Sequence, residues 1–271
     1  MSLSPGDRTA AELADEGGPT PQIVIEPDAD RLARAVAEAL VARLAAAQAV
    51  HGSASVVLTG GGIGTAVLER VAGLAAEPVR ETVDWTAVDV WWGDERFVPA
   101  QDDERNEKGA RRALLDAVGV PPERVHAMPP SDGPFTDPED AAGWYADQLR
   151  SVAGDDRAVP RLDVLLLGMG PEGHVASIFP GSPAVRDQRP VVAVRNCPKP
   201  PPTRVSLGFT AINSAEEVWV IVSGEGKAAA VAQALSGAAP DEIPAAGVRG
   251  TRATRWLLDA PAASGLPSPG R

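Results

Sequence analysis

Apolar positions along the chain fall into two rhythms. Short apolar runs at 22–26, 55–59, 88–92, 162–167, 191–194, 204–207, 217–222 and 255–258 read as strands. Between many of them lie stretches whose apolar positions recur every three or four residues, predicting helices over 31–50, 65–76, 106–118, 144–153 and 227–235. In the first helix Leu32, Val36, Leu40 and Leu44 share one face, with Asp28 or Asp30 as the cap. Residues 162–167 form a nearly unbroken apolar run, as expected of a strand covered on both faces. This alternation predicts an α/β fold with a mainly parallel sheet and helices on both faces. In such sheets ligands collect beyond the carboxyl ends of the strands. Four predicted strands end in a glycine-bearing segment, near residues 60–62, 93–96, 168–170 and 224–227, so the functional residues are expected along that edge.

Composition and charge narrow the setting. The 271 residues are 44% hydrophobic, enough for one large buried core. The formal net charge of −12 argues against an electrostatic footprint for nucleic acid. Residues 1–30 hold seven acids against Arg8, a net −6 and half the total. Residues 1–21, also rich in Gly and Pro, are expected to form a disordered acidic tail. A loose tail is expected over 261–271, leaving 22–260 as a single domain. No apolar run approaches the roughly 20 residues that span a bilayer, and the start lacks a signal-peptide pattern. The one cysteine, Cys197, rules out an internal disulfide and fits a reducing compartment, so the protein is expected to be cytoplasmic. Lysine is scarce, with Lys108, Lys199 and Lys227 beside 22 arginines.

The candidate chemistry lies on the predicted edge. Gly60, Gly61 and Gly62, between strand and helix, suit an anion because backbone amides can approach it closely, although three glycines alone fit a plain tight turn equally well. The spacing is not that of a dinucleotide-binding fingerprint, and no P-loop lysine follows. Lys227 opens a helix after a Gly-x-Gly turn, where an ammonium and free amides can meet a phosphate; a solvated surface lysine is the plain alternative. Asp94, Glu95 and Arg96 place an arginine fork beside two acids, either an anion site or a self-neutralising salt-bridge knot. Lys199 and Arg204, in a proline-rich stretch, are a basic approach to the same edge or surface charges, and Asn106 is a cap or a ligand contact. His174, two residues after Glu172, has the make-up of a general base steered by a carboxylate, or of a capping histidine. His51 and His126 are read as structural residues in loops. There is no G-x-S-x-G elbow, and no pattern presents Ser177 as a nucleophile. Without a zinc-binding pattern either, an activated water is the chemistry that remains.

Together, residues 60–62, 93–96, 168–181 (GMGPEGHVASIFPG) and 198–207 resemble the ordered motifs of the 6-phosphogluconolactonase family. Residues 217–228 resemble the strand and lysine-bearing turn of the related glucosamine-6-phosphate deaminase/isomerase group. The resemblance covers roughly 22–260 and implies a Rossmann-like three-layer α/β/α fold. It also implies hydrolysis of 6-phosphogluconolactone in the pentose phosphate pathway, with no metal or cofactor and with a small sugar phosphate as the partner. Carried over by position, His174 is the base that activates water, with Glu172 and Asp94 arranging the site. Gly60, Gly61, Gly62, Arg96, Lys227 and, more weakly, Arg204 hold the phosphate or sugar chain. A monomer that binds neither nucleic acid nor membrane is expected. The family pattern often has Asp at Glu172 and Thr at Val175. The first change keeps the charge but moves it by a methylene; the second removes a hydroxyl. The alternative is an amino-sugar-phosphate isomerase/deaminase, but that group carries an Asp-Glu-Tyr turn in place of Asp94-Glu95-Arg96 and Ala-Phe-Asn-Glu after the histidine. A sugar-phosphate-sensing regulator would need a DNA-binding helix pair, for which residues 1–30 are too short and too acidic.

Overall fold

The computed structural model describes residues 20–76, 83–154 and 156–267. The expected disordered tail therefore lies almost wholly outside the described residues; Thr20 and Pro21 are described and exposed. Six strands form one parallel sheet: β1 (Gln22–Glu26), β2 (Ala54–Leu58), β3 (Val88–Trp92), β5 (Val164–Gly168), β8 (Glu217–Val222) and β9 (Ala253–Asp259). Their order across the sheet is β1-β9-β8-β5-β2-β3, with helices on both sides. Strands β2 and β8 are buried at every position, which their near-continuous apolar sequences require.

Helix α1 (Ala29–His51) follows the predicted face, burying Leu32, Val36, Leu40 and Leu44, and the Asp28 side chain accepts from the Arg31 amide at 2.8 Å. It ends at Gly52, whose φ of 75° provides the left-handed C-cap. His51 is thus the last residue of a helix rather than part of a loop. Helix α2 (Gly61–Ala75) begins four residues earlier than the predicted 65, inside the glycine triplet. Helix α3 runs through Asn106–Ala110, a π turn over Arg111–Leu115, and Asp116–Val118. Helix α4 (Pro138–Ala153) starts six residues before the predicted 144, with Asp137 capping the Glu139 amide and Pro138 in the first turn.

A second sheet, which hydrophobic rhythm did not reveal, is antiparallel with the order β4 (Asp94–Arg96), β7 (Arg204–Leu207), β6 (Val191–Val194). It pairs Asp94 with Ser206 and Arg96 with Arg204, tying two of the recognised motifs together. Of the residues placed in a loose tail from 261 onward, 261–265 form turns. Ala262 is fully buried and its amide donates to Asp259 at 2.8 Å. His126, read as a structural residue, stacks on Trp91 with ring centroids 3.8 Å apart, and its Nε2 lies 3.1 Å from Asp89.

Candidate active site

The chain order reverses direction between β2 and β5. From β2 the sheet continues outward to β3, and from β5 it continues the other way through β8 to β9. The carboxyl ends of β2 and β5 therefore diverge into a crevice, the usual ligand position in an open parallel sheet. Across it the Gly168 amide donates to Thr59 Oγ1 at 3.2 Å. The crevice opens into a cavity of about 790 Å³ lined by Gly60, Gly61, Gly62, Asp94, Arg96, Asn106, His174, Lys199, Arg204 and Lys227, among others. Helix α2 starts on this wall with no side chain capping its first amides, which leaves them to a ligand. Gly60 leaves room for the Asn106 side chain: a Cβ on it would lie 1.9 Å from Asn106 Oδ1 and displace that amide from Asp94.

His174 is presented by a tightly stitched loop. The Gly170 amide donates to the His174 carbonyl at 3.0 Å and the Gly173 amide to the Gly170 carbonyl at 3.0 Å. The imidazole stacks on Phe179, centroids 4.4 Å apart. A Cβ on Gly170 would fall 2.1 Å from His174 Nδ1, so only glycine lets the ring sit there. Nδ1 is enclosed and lies 3.1 Å from Glu172 Oε1, close but not aligned as a hydrogen bond. Nε2 is left as the ring nitrogen available to a reactant. Burial, opposed by the Glu172 charge, holds the imidazole below its ordinary value of 6.5. Glu172 itself lies outside the cavity lining and is reached through His174. Val175 is fully buried as an apolar residue, so the missing hydroxyl would have faced the core.

Strand alternation sorts the Asp94-Glu95-Arg96 trio. Asp94 and Arg96 both line the cavity, while Glu95 turns away and is 1% exposed. The three do not neutralise one another as a knot. Asp94 accepts from the Ser177 hydroxyl at 2.7 Å and from Asn106 Nδ2 at 3.3 Å. Glu95 accepts from the amides of Arg96, Asn106 and Glu107 at 2.9, 2.7 and 2.9 Å. Arg96 Nη1 donates to the Glu104 carbonyl. Ser177 is fully buried and its hydroxyl is committed to Asp94.

The remaining cations differ in what holds them. Arg204 is buried, with Nε donating to the Pro201 carbonyl at 2.9 Å and Nη2 to those of Lys199 and Pro200 at 3.2 Å each. Lys227 has no ion pair or hydrogen bond from its ammonium among the described residues. Burial, and then the Lys199 charge, holds its pKa down. Asp259 shapes the turn before it by accepting from the Gly224 amide at 3.0 Å. Arg70, not singled out from the sequence, lines the cavity and pairs with Asp30. Gly62, Ala66 and Arg70 follow one another at a spacing of four on α2, the periodic signal that would have found it. At the opposite end of the sheet His51, Asp163 and Glu216 bring possible ligand atoms within 4.8 Å. Arg43 Nη2, 2.6 Å from Glu216 and 3.9 Å from Asp163, already supplies the positive charge there.

The sequence profile of the family described as glucosamine-6-phosphate isomerases/6-phosphogluconolactonase matches residues 27–256. The chain belongs to this family. Within it, the 6-phosphogluconolactonase of Streptomyces coelicolor is 53% identical over 252 residues, covering 92% of this chain and 95% of that one. The 6-phosphogluconolactonase of Mycobacterium tuberculosis is 50% identical over 248 residues, covering 91% and 98%. Among solved structures, the 6-phosphogluconolactonase of Trypanosoma brucei superposes with a TM-score of 0.74 at 28% identity, covering 93% and 100%. Of the positions that the family resemblance named, all but Glu172 line the one cavity, and Glu172 touches it through His174. Among the described residues no helix is long and apolar enough to cross a membrane.

Proposed function

We propose that the chain hydrolyses 6-phosphogluconolactone to 6-phosphogluconate, the lactonase step of the pentose phosphate pathway, with His174 as the base that activates water. The high identity to curated 6-phosphogluconolactonases supports the reaction. The observation that carries the mechanism is a half-enclosed imidazole, Glu172 against one nitrogen and the other left for a reactant, in the same cavity as the α2 amides, Arg96 and Lys227. Those amides and cations hold the phosphate and place the lactone carbonyl beside His174. Nε2 takes a proton as the water oxygen bonds to the carbonyl carbon. The tetrahedral adduct then collapses, the ring C–O bond breaks, and the departing oxygen becomes a hydroxyl with the proton returned by His174. Asp94, fixed by Ser177 and Asn106, arranges the wall facing this reaction.

A net charge of −12 and a buried, unpaired Cys197 support a cytoplasmic enzyme acting on a small sugar phosphate and not on nucleic acid. The test is turnover of freshly prepared lactone, corrected for spontaneous hydrolysis. His174→Ala, folded as judged by circular dichroism, is expected to lose about 10²-fold or more in kcat. Wild-type turnover in that variant would remove His174 as the base, and ammonia release from glucosamine 6-phosphate by the wild type would replace the reaction.

A further inference from the structure

Lys199 lines the cavity, yet its ammonium is engaged elsewhere. Nζ lies 3.0 Å from Glu172 Oε2, while the other oxygen of that carboxylate is the one 3.1 Å from His174 Nδ1. Glu172 therefore spans a lysine and the histidine, a reach that its extra methylene over aspartate extends. The backbone carrying Lys199 is stiff. Prolines 198, 200, 201 and 202 surround it, and the buried Arg204 guanidinium donates to the carbonyls of residues 199, 200 and 201. On the Glu172 side, the approach to Nδ1 is not an aligned hydrogen bond, so among the described residues the side-chain hydrogen bond that holds this carboxylate is the one from Lys199. Without a second anchor, such a carboxylate rotates into solvent.

We propose that Lys199 is a positioning residue: it anchors Glu172 so that the carboxylate stays against His174 Nδ1, and it is not a phosphate ligand. With Glu172 in place the proton is kept on Nδ1 and the lone pair on Nε2, the nitrogen assigned to the attacking water. Lys227, unpaired among the described residues, and Arg96 are left for the phosphate. The inference rests on His174 being the base. As a half-exposed pair, Lys199 and Glu172 contribute little to folding, so removing the lysine leaves the protein intact.

Four variants are compared with wild type for kcat and KM on fresh lactone and for the Kd of 6-phosphogluconate by calorimetry: Lys199→Met, Lys199→Arg, Glu172→Gln and the Lys199→Met/Glu172→Gln double. Lys199→Met is expected to lower kcat about 10-fold, the usual scale for removing a residue that orients an active-site ligand, with KM and Kd within about two-fold. Lys199→Arg recovers most of that loss. The double variant is no slower than Glu172→Gln alone, because the lysine acts through the glutamate. A rise of about 10-fold in KM and Kd, a cost that persists in the Glu172→Gln background, or an unchanged kcat overturns the proposal. Wild-type turnover in His174→Ala would instead remove the base on which it rests. A silent Lys199→Met beside an inactive His174→Ala would remove Lys199 alone.

Discussion

His174 combines features that only a few residues around it permit. Gly170 leaves room for the ring, Phe179 stacks on it, and Glu172 stands against the enclosed nitrogen. Because burial holds its pKa below 6.5, the neutral, proton-accepting form dominates at neutral pH. The sign of the pH dependence follows. kcat/KM is expected to be flat through neutrality and to fall as acid protonates the free enzyme, with a midpoint below 6.5, as read from initial rates across pH 4.5–8 after subtraction of spontaneous hydrolysis. A midpoint above 7 would mean that another group titrates. At this scale the sequence was informative where partners are close along the chain: Glu172 and His174 are two residues apart. It was silent on Ser177 and Asp94, whose 2.7 Å bond joins positions 83 apart in the chain. It also left Lys199 and Arg204 as interchangeable basic residues, whereas the fold gives Lys199 the Glu172 carboxylate and Arg204 three carbonyls together with Asp94 at 3.8 Å.

Among the elements, the short strand β4 does the most to assemble the site. Its alternation sends Asp94 and Arg96 to the cavity and Glu95 inward, where three amides and, at 3.6 Å, Arg105 meet its carboxylate. Burial, opposed by Arg105 and those amides, pushes Glu95 up to about 6, so at neutral pH it is chiefly the ionised acceptor these donors need. Two of the amides belong to the first turn of α3, so Glu95 locks that helix start, and with it Asn106, to the cavity wall. Glu95→Ala is expected to cost about 3 kcal/mol of stability by leaving buried donors and Arg105 short of an acceptor, measured as a lower urea midpoint with an unchanged m-value. A loss under 0.5 kcal/mol would show that water replaces the carboxylate. Strands β3, β6, β7 and β8 were legible to the residue because short runs dominated by apolar residues, or alternating as in Arg204–Leu207, leave few alternatives. The start of α2 was not, since a glycine triplet does not declare where a turn becomes a helix. The antiparallel β4-β7-β6 sheet was hidden because its pairing is long-range and its first strand is wholly charged.

Across the whole molecule, charge is divided between the two ends of the parallel sheet. At the amino ends, Arg43, Asp163, Glu216, Glu217 and Arg255 satisfy one another: Asp163 caps the Ser55 amide at 2.8 Å, and Glu217 takes Arg43 at 2.9 Å. At the carboxyl ends the α2 amides and Lys227 have no such partners among the described residues. That asymmetry makes the carboxyl edge the anion-seeking one despite a net charge of −12. A phosphate ligand bridging the ends of β2, β4 and β8 should therefore stabilise the entire fold. At 100 times its Kd, 6-phosphogluconate is expected to add about 2.7 kcal/mol, several degrees in Tm, and Lys227→Ala should lose most of this at the same concentration. An equal shift in that variant would place the phosphate elsewhere. The sequence by itself determined the α/β class, the family motifs and the glycine-bearing strand ends that line the cavity, because periodicity and glycine placement are local properties that a chain displays without folding. Only the tertiary structure decided which charges stay free. Whether a lysine or an aspartate is engaged depends on residues brought beside it from far along the chain, and burial then sets how strongly each one acts.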